Sequence, residues 1–249
     1  METLDKFRVM RIQSSRQLTL GVRLSEAHQF SNFVPGRNQA AIAALRQLAG
    51  GAYGPLVYLW GGAGSGKTHL LEAACAEAGV DGRATAYVPL LSNAELDPVM
   101  LAGLESARLV CIDDVHAIAG LKFWEEALFH LYNQAEAGGV PIAVAADRPP
   151  LALPLVLNDL KSRLSAGTVF KTRELNDSGR GRALAARAKA RGFEFPEEAV
   201  RYLLNRGPRD MHSLMAVLDR LDALSLSEQR KLTVPLVREV LFSRETPVC

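Results

Sequence analysis

The stretch Leu56-Val57-Tyr58-Leu59-Trp60-Gly61-Gly62-Ala63-Gly64-Ser65-Gly66-Lys67-Thr68 runs from an apolar segment straight into the pattern G-x-x-x-x-G-K-T. Val57 to Trp60 reads as a strand buried on both faces. Beyond the loop, Leu70, Leu71, Ala74, Cys75 and Ala78 recur at three- and four-residue steps, which predicts a helix from Lys67 to Ala78. Strand, glycine loop and helix in that order build a phosphate cradle. The glycines let successive backbone N–H groups point inward, and the helix start favours negative charge. Gly61, Gly62, Ala63, Gly64, Ser65 and Gly66 are the candidate loop. Lys67 supplies charge at the outer phosphates, Thr68 offers its hydroxyl to Mg²⁺, and His69 follows in the first helical turn.

Further along, residues 85–89, 109–112, 141–145 and 168–171 read as apolar strands, with helical patterns between them. Alternating strands and helices predict an α/β fold with a parallel five-stranded sheet covered on both faces. The strand at 109–112 ends in Asp113-Asp114, where P-loop enzymes place a carboxylate beside Mg²⁺. Asp113 is the candidate metal partner with Thr68, and Asp114 a candidate to orient or deprotonate the attacking water. After about Glu174 only helical patterns remain, at 178–191, 196–205, 210–223 and around 234–242. The expected domains are an extended N-terminal tail over 1–24, an α/β nucleotide-binding domain over 25–173 and a small helical lid over 174–249.

Composition bounds the rest. The chain has 249 residues, 48% hydrophobic and 22% charged, as in an ordinary soluble globule. Lys and Arg total 29 against 27 Asp and Glu, so no global charge draws it to nucleic acid. The basic series Arg180, Arg182, Arg187, Lys189 and Arg191 reads first as a solvated helix face, with at most weak direct DNA contact. The 3 cysteines, Cys75, Cys111 and Cys249, show no metal spacing, which suits a reducing compartment. There is no apolar run of about eighteen residues and no signal-peptide core, so the expected location is cytoplasmic, with no membrane partner.

Several fragments in order now carry a family resemblance. They are Ser31-Asn32-Phe33-Val34-Pro35-Gly36-Arg37-Asn38, then the P-loop, Cys111-Ile112-Asp113-Asp114 with Ala119-Gly120, Ala146-Asp147-Arg148-Pro149-Pro150, Leu160-Lys161-Ser162-Arg163-Leu164, and Arg209. Over about residues 25–240 the chain resembles the AAA+ family, in the branch of the bacterial replication initiator DnaA. The resemblance implies ATP or ADP as the nucleotide and places Phe33 and Val34 against adenine. Asp147 falls at the sensor I position, and Arg209 at sensor II in the lid. Arg163 matches an arginine finger, which projects from a subunit edge into a neighbour's nucleotide site. A guanidinium stays protonated and presents a rigid fork of donors to charge on a transferring phosphoryl group.

DnaA continues into a helix-turn-helix domain and begins with a separate interaction domain, and this sequence carries neither; that points to a regulator rather than an initiator. The tail segment Gln17-Leu18-Thr19-Leu20-Gly21-Val22 resembles the Q-L-x-L-P-L peptide that docks on the DNA sliding clamp, with Gly21 where proline is usual. In that mode Gln17 makes amide hydrogen bonds while Leu18, Leu20 and Val22 fill apolar subsites. The combined layout resembles the regulatory inactivators of DnaA, negative regulators of replication initiation. It implies the DNA polymerase III sliding clamp (beta subunit) on DNA and the ATP form of DnaA as partners, with self-association. Arg163 would act in trans to promote hydrolysis of DnaA-bound ATP and leave inactive ADP-DnaA. The complete P-loop keeps an alternative open: an autonomous AAA+ ATPase, such as a helicase loader. A DNA-reading initiator would need specific duplex binding.

Overall fold

A computed structural model describes residues 28–242, except 53, 55, 81, 92–95 and 229. The peptide at 17–22 and Cys249 therefore lie outside the described residues. The chain divides into two compact units, one formed by residues up to Gly62 with Gly66–Arg173, the other by Ala63–Ser65 with the chain from Glu174 onward.

The first unit is built on five strands: β1 (Val57–Trp60), β2 (Ala86–Pro89), β3 (Val110–Asp113), β4 (Ile142–Ala146) and β5 (Thr168–Lys171). They form a parallel sheet in the order β2-β3-β4-β1-β5. Helices α1 (Gln39–Ala49), α2 (Lys67–Ala78), α3 (Lys122–Gly138) and α4 (Asn158–Ala166) connect and cover it. The alternation of side chains along each strand divides the core in two. Val57, Leu59, Cys111, Ala143 and Ala145 pack with Leu45, Leu70 and Leu71 of α1 and α2. Tyr58, Val110, Ile112, Val144 and Ala146 pack with Leu128, Leu131, Leu160 and Leu164 of α3 and α4. Strands β1 to β4 are thus dry on both faces, which is why they show apolar runs rather than alternation, while the edge strand β5 is largely exposed. Cys75 and Cys111 are free, buried thiols within it.

β1, β5 and α2 occupy the ranges the sequence predicts. β2 starts one residue later than expected, and β3 and β4 each lie one residue further along. The shift in β3 matters, because it brings Asp113 inside the sheet, in register with Pro89 of β2. Beyond β5, an amide clip ties the strand end to α1. Asn38 Nδ2 donates to the Arg173 carbonyl at 2.9 Å, and the Arg173 amide donates to Asn38 Oδ1 at 2.7 Å.

The second unit holds α5 (Asp177–Ala190), α6 (Glu197–Arg206), α7 (Met211–Glu228) and α8 (Val234–Phe242). Its own core gathers Leu184, Ala188, Leu203, Leu214, Leu218, Leu221, Leu236 and Val237. Asn176 caps α5, its side chain accepting from the Gly179 amide. Pro196 is the N-cap of α6 rather than its first helical residue, with Glu197 and Glu198 in the first turn. α7 runs past the expected end at Ala223 to Glu228, with Leu224 still packing on the core. Among the described residues no helix is long and apolar enough to cross a membrane.

Candidate nucleotide site

The glycine loop follows β1 and turns through Gly64 and Gly66, whose φ angles of 73° and 91° lie in the left-handed region. Gly66 is the N-cap of α2 and brings no side chain to the first helical amides. Those amides and the positive end of the helix are the physical basis of an anion site. Lys67 is buried and donates to the carbonyls of Gly61 and Gly62 at 2.9 and 3.0 Å, so its ammonium is held against the loop itself. Phe33 leans on the same turn: a Cβ on Gly66 would come within 2.7 Å of its ring. The Phe33 ring also meets His69 edge-on, with centroids 5.0 Å apart, while His69 Nε2 lies 3.0 Å from the Gln29 carbonyl. Val34 beside it is half-buried.

Two strand ends bring the acids to this loop. Asp113, fully buried, accepts from the Thr68 hydroxyl at 2.7 Å and from the Tyr87 hydroxyl at 3.0 Å, both on Oδ2. Its Oδ1 accepts from the Asp114 amide at 2.9 Å. Burial, followed by the charge of Asp113, pushes the Tyr87 phenol well above its usual range and keeps it a donor. A hydroxyl and a carboxylate in contact are a hard oxygen pair, and Mg²⁺ takes few protein ligands of this kind, completing its shell with water and phosphate oxygens. Thr68 and Asp113 therefore fit Mg²⁺. Among the described residues no group of three or more His, Cys, Asp or Glu forms a protein-only metal cage.

Asp114 follows with φ 55°, the only described non-glycine residue at positive φ. Burial, then Asp113, raises its pKa, while His116 and Lys67 pull in the opposite direction. A 3-10 turn over Val115–Ile118 brings the His116 ring between two carboxylates. His116 Nδ1 lies 3.9 Å from Asp114 Oδ1 and 4.0 Å from Asp147 Oδ1. Asp147 comes directly after β4, the neighbour of β3, which explains the convergence. Arg148 grips Asp147 with two hydrogen bonds, at 2.8 Å to Oδ1 and 2.7 Å to Oδ2. Those bonds hold the Asp147 pKa down. The Arg148 carbonyl in turn accepts from the Tyr58 hydroxyl at 2.9 Å.

Arg163 belongs to a different neighbourhood. It sits near the end of α4, exposed, with Nη1 3.2 Å from Glu136 Oε2 and its guanidinium 5.5 Å from the Tyr132 ring centre. The approach to α4 is fixed by Glu125, a fully buried carboxylate on α3. It accepts from the amides of Gly120 at 2.7 Å, Val156 at 3.2 Å and Leu157, the N-cap of α4, at 2.7 Å. In the second unit Arg209 is exposed in the turn before α7, whose start is held by Asp210 accepting from the Ser213 amide at 2.8 Å. Two of the five basic residues in the series along α5 and its C-cap are paired with acids. Arg180 pairs with Glu174 and Asp177, and Arg191 with Asp219 and Asp222.

The structure thus gathers the P-loop, Thr68, Asp113, Asp114 and Asp147 around neighbouring strand ends, sets Phe33 against Gly66, and leaves Arg163 on the α3/α4 face. Sequence reasoning passed over Tyr87, His116 and Glu125. His116 follows the paired acids by two positions, which was a usable signal. The partners of Tyr87 and Glu125 come from other elements and leave no local pattern.

Comparison with known proteins agrees with this geometry. The model of the bacterial DnaA ATPase domain matches residues 24–171, and that of the Hda lid domain matches residues 177–241. Domain III of the Thermotoga maritima replication initiation protein DnaA superposes with a TM-score of 0.76 at 23% identity, covering 91% of this chain and 100% of that one. AMPPCP-bound DnaA from Aquifex aeolicus gives 0.67 at 24% identity, covering 82% and 68%. The Thermotoga maritima RuvB branch migration motor gives 0.65 at 16%, covering 86% and 70%. The parallel sheet, its P-loop and the acids at the ends of β3 and β4 are those of an AAA+ protein. Within that class the chain belongs to the bacterial DnaA ATPase family, and it carries a lid of the Hda type.

Proposed function

We propose that this chain is a negative regulator of replication initiation that promotes hydrolysis of ATP held by DnaA. The observation that carries the reading is the pairing of a DnaA-type ATPase domain with an Hda-type lid in one chain. Residues 25–173 act as the nucleotide domain and 174–249 as its lid, while the tail over 1–24 docks through residues 17–22 on the sliding clamp loaded on DNA. Arg163 enters the nucleotide site of DnaA and steadies charge on the γ-phosphoryl group, a contribution of about 10³ to 10⁵ in rate for arginine fingers generally. DnaA is left with ADP. This chain's own site takes ADP or ATP with Mg²⁺ through residues 61–69, Asp113, Phe33, Val34 and Arg209. The AMPPCP-bound DnaA relative supports an adenine nucleotide. Self-association of this chain is part of the same reading. Direct DNA contact is weak at most, a reading supported by the ion pairs that occupy Arg180 and Arg191.

The test is hydrolysis of ATP pre-bound to DnaA, with this protein and DNA-loaded clamp each omitted in turn. Fast hydrolysis only in the complete mixture is expected, and a rate indifferent to this protein refutes the reading. A second reading, an autonomous ATPase such as a helicase loader, draws on the complete P-loop and the intact Thr68–Asp113 pair. It predicts rapid turnover by the isolated protein that neither DnaA nor clamp alters.

A further inference from the structure

Arg163 and Tyr132 stand on two helices that share a core. Leu128, Leu131 and Ala135 of α3 and Leu160 and Leu164 of α4 are buried together, and the half-buried Tyr132 ring packs against them. The ring is thereby held from beneath. The Arg163 guanidinium lies over it, 5.5 Å from the ring centre, within the roughly 6 Å at which a ring face attracts a cation. One turn further along α3, Glu136 accepts from Arg163 Nη1 at 3.2 Å on Oε2 and from the Tyr132 hydroxyl at 3.4 Å on Oε1.

The two contacts on the guanidinium differ in kind. The carboxylate occupies an N–H that a phosphate oxygen would need, whereas a ring acts on the guanidinium face and leaves the in-plane donors open. Among the described residues Nε and Nη2 of Arg163 donate to no partner. An exposed arginine without such a support samples many rotamers, and ordering it on docking opposes the contact it then makes. We propose that Tyr132 is a positioning residue for Arg163, its ring holding the guanidinium so that one edge of the fork stays free for the phosphate oxygens of ATP bound to DnaA. Tyr132 acts through Arg163 and touches no reacting atom.

The inference rests on the reading that Arg163 acts in trans, and its test separates the two. Hydrolysis of DnaA-bound ATP with DNA-loaded clamp is measured against the concentration of this protein, for the wild type, Tyr132→Leu, Tyr132→Met, Tyr132→Phe and Arg163→Ala, with denaturant unfolding to show that each variant is folded. Leu and Met keep apolar bulk against the core and remove the ring face; Phe keeps the face and removes only the hydroxyl. Expected are maximal rates lowered about three- to tenfold in Tyr132→Leu and Tyr132→Met, a rate within about twofold of wild type in Tyr132→Phe, and half-saturating concentrations within about twofold for all three. Wild-type maximal rates in Tyr132→Leu and Tyr132→Met overturn the inference, as does an equally deep loss in Tyr132→Phe. A rise in the half-saturating concentration at unchanged maximal rate also overturns it, because Tyr132 is then a docking contact. In each of these outcomes an inactive Arg163→Ala leaves the finger reading standing. Full stimulation by Arg163→Ala, or none by the wild type, removes both.

Discussion

Asp114 carries a charge in a half-buried, strained position beside another carboxylate, and this has a consequence for stability. Because its native pKa is raised, the folded protein binds the proton more tightly than the unfolded chain does. By linkage, stability is fully present below the unfolded carboxylate value and is lost as pH rises through the native pKa. Asp114→Asn keeps a side chain that tolerates positive φ and removes the charge. In metal-free buffer it is expected to be more stable than the wild type at pH 7, with the gain vanishing as the pH falls below about 3.9. Denaturant titrations at several pH values check this, and equal stability throughout contradicts it. Gly66 offers a second residue-level test. Gly66→Ala must adopt φ 91° and push the Phe33 ring aside, so nucleotide affinity should fall by at least about tenfold in equilibrium titration, with little loss of helix content.

At the scale of elements, Glu125 is the joint that sets α4. Removing it leaves three amides without their acceptor, and Glu125→Ala is expected to cost about 3–5 kcal/mol in chemical denaturation. It should also impair any function carried by Arg163, because α4 loses its fixed start. Arg163 is held by an exposed ion pair with Glu136, a type of contact worth under about 1 kcal/mol. Glu136→Gln should therefore leave stability unchanged and raise any stimulation of a partner modestly, by no more than about fivefold; a lowered stimulation would show that Glu136 assists rather than parks the guanidinium. The elements themselves were legible, because period and glycine punctuation are local. β1, α2 and β5 fall where the residues predict, and β3 and β4 slip by one residue. The convergence of His116 with Asp147, and of Glu125 with the α4 entry, was not legible. Both depend on which strands become neighbours, a property of the sheet order rather than of any window of sequence.

For the molecule as a whole, the account assigns two nucleotide sites to two proteins. In the proposed function the phosphate loop and Asp113 serve this chain's own nucleotide, while Arg163 serves a nucleotide held by DnaA. The family was readable because its motifs are short and ordered along the chain; the roles in trans rest on the resemblance alone, since a partner leaves no periodicity behind. Deleting residues 17–22 is expected to abolish retention on immobilised clamp while leaving nucleotide affinity unchanged, and undiminished retention would refute that docking role. The most direct measurement of the central claim is hydrolysis of ATP pre-bound to DnaA in the presence of DNA-loaded clamp, comparing the wild-type chain with Arg163→Ala. The account predicts that Arg163→Ala folds, binds nucleotide normally and loses stimulation by about 10³-fold or to background. Full stimulation by Arg163→Ala would contradict it.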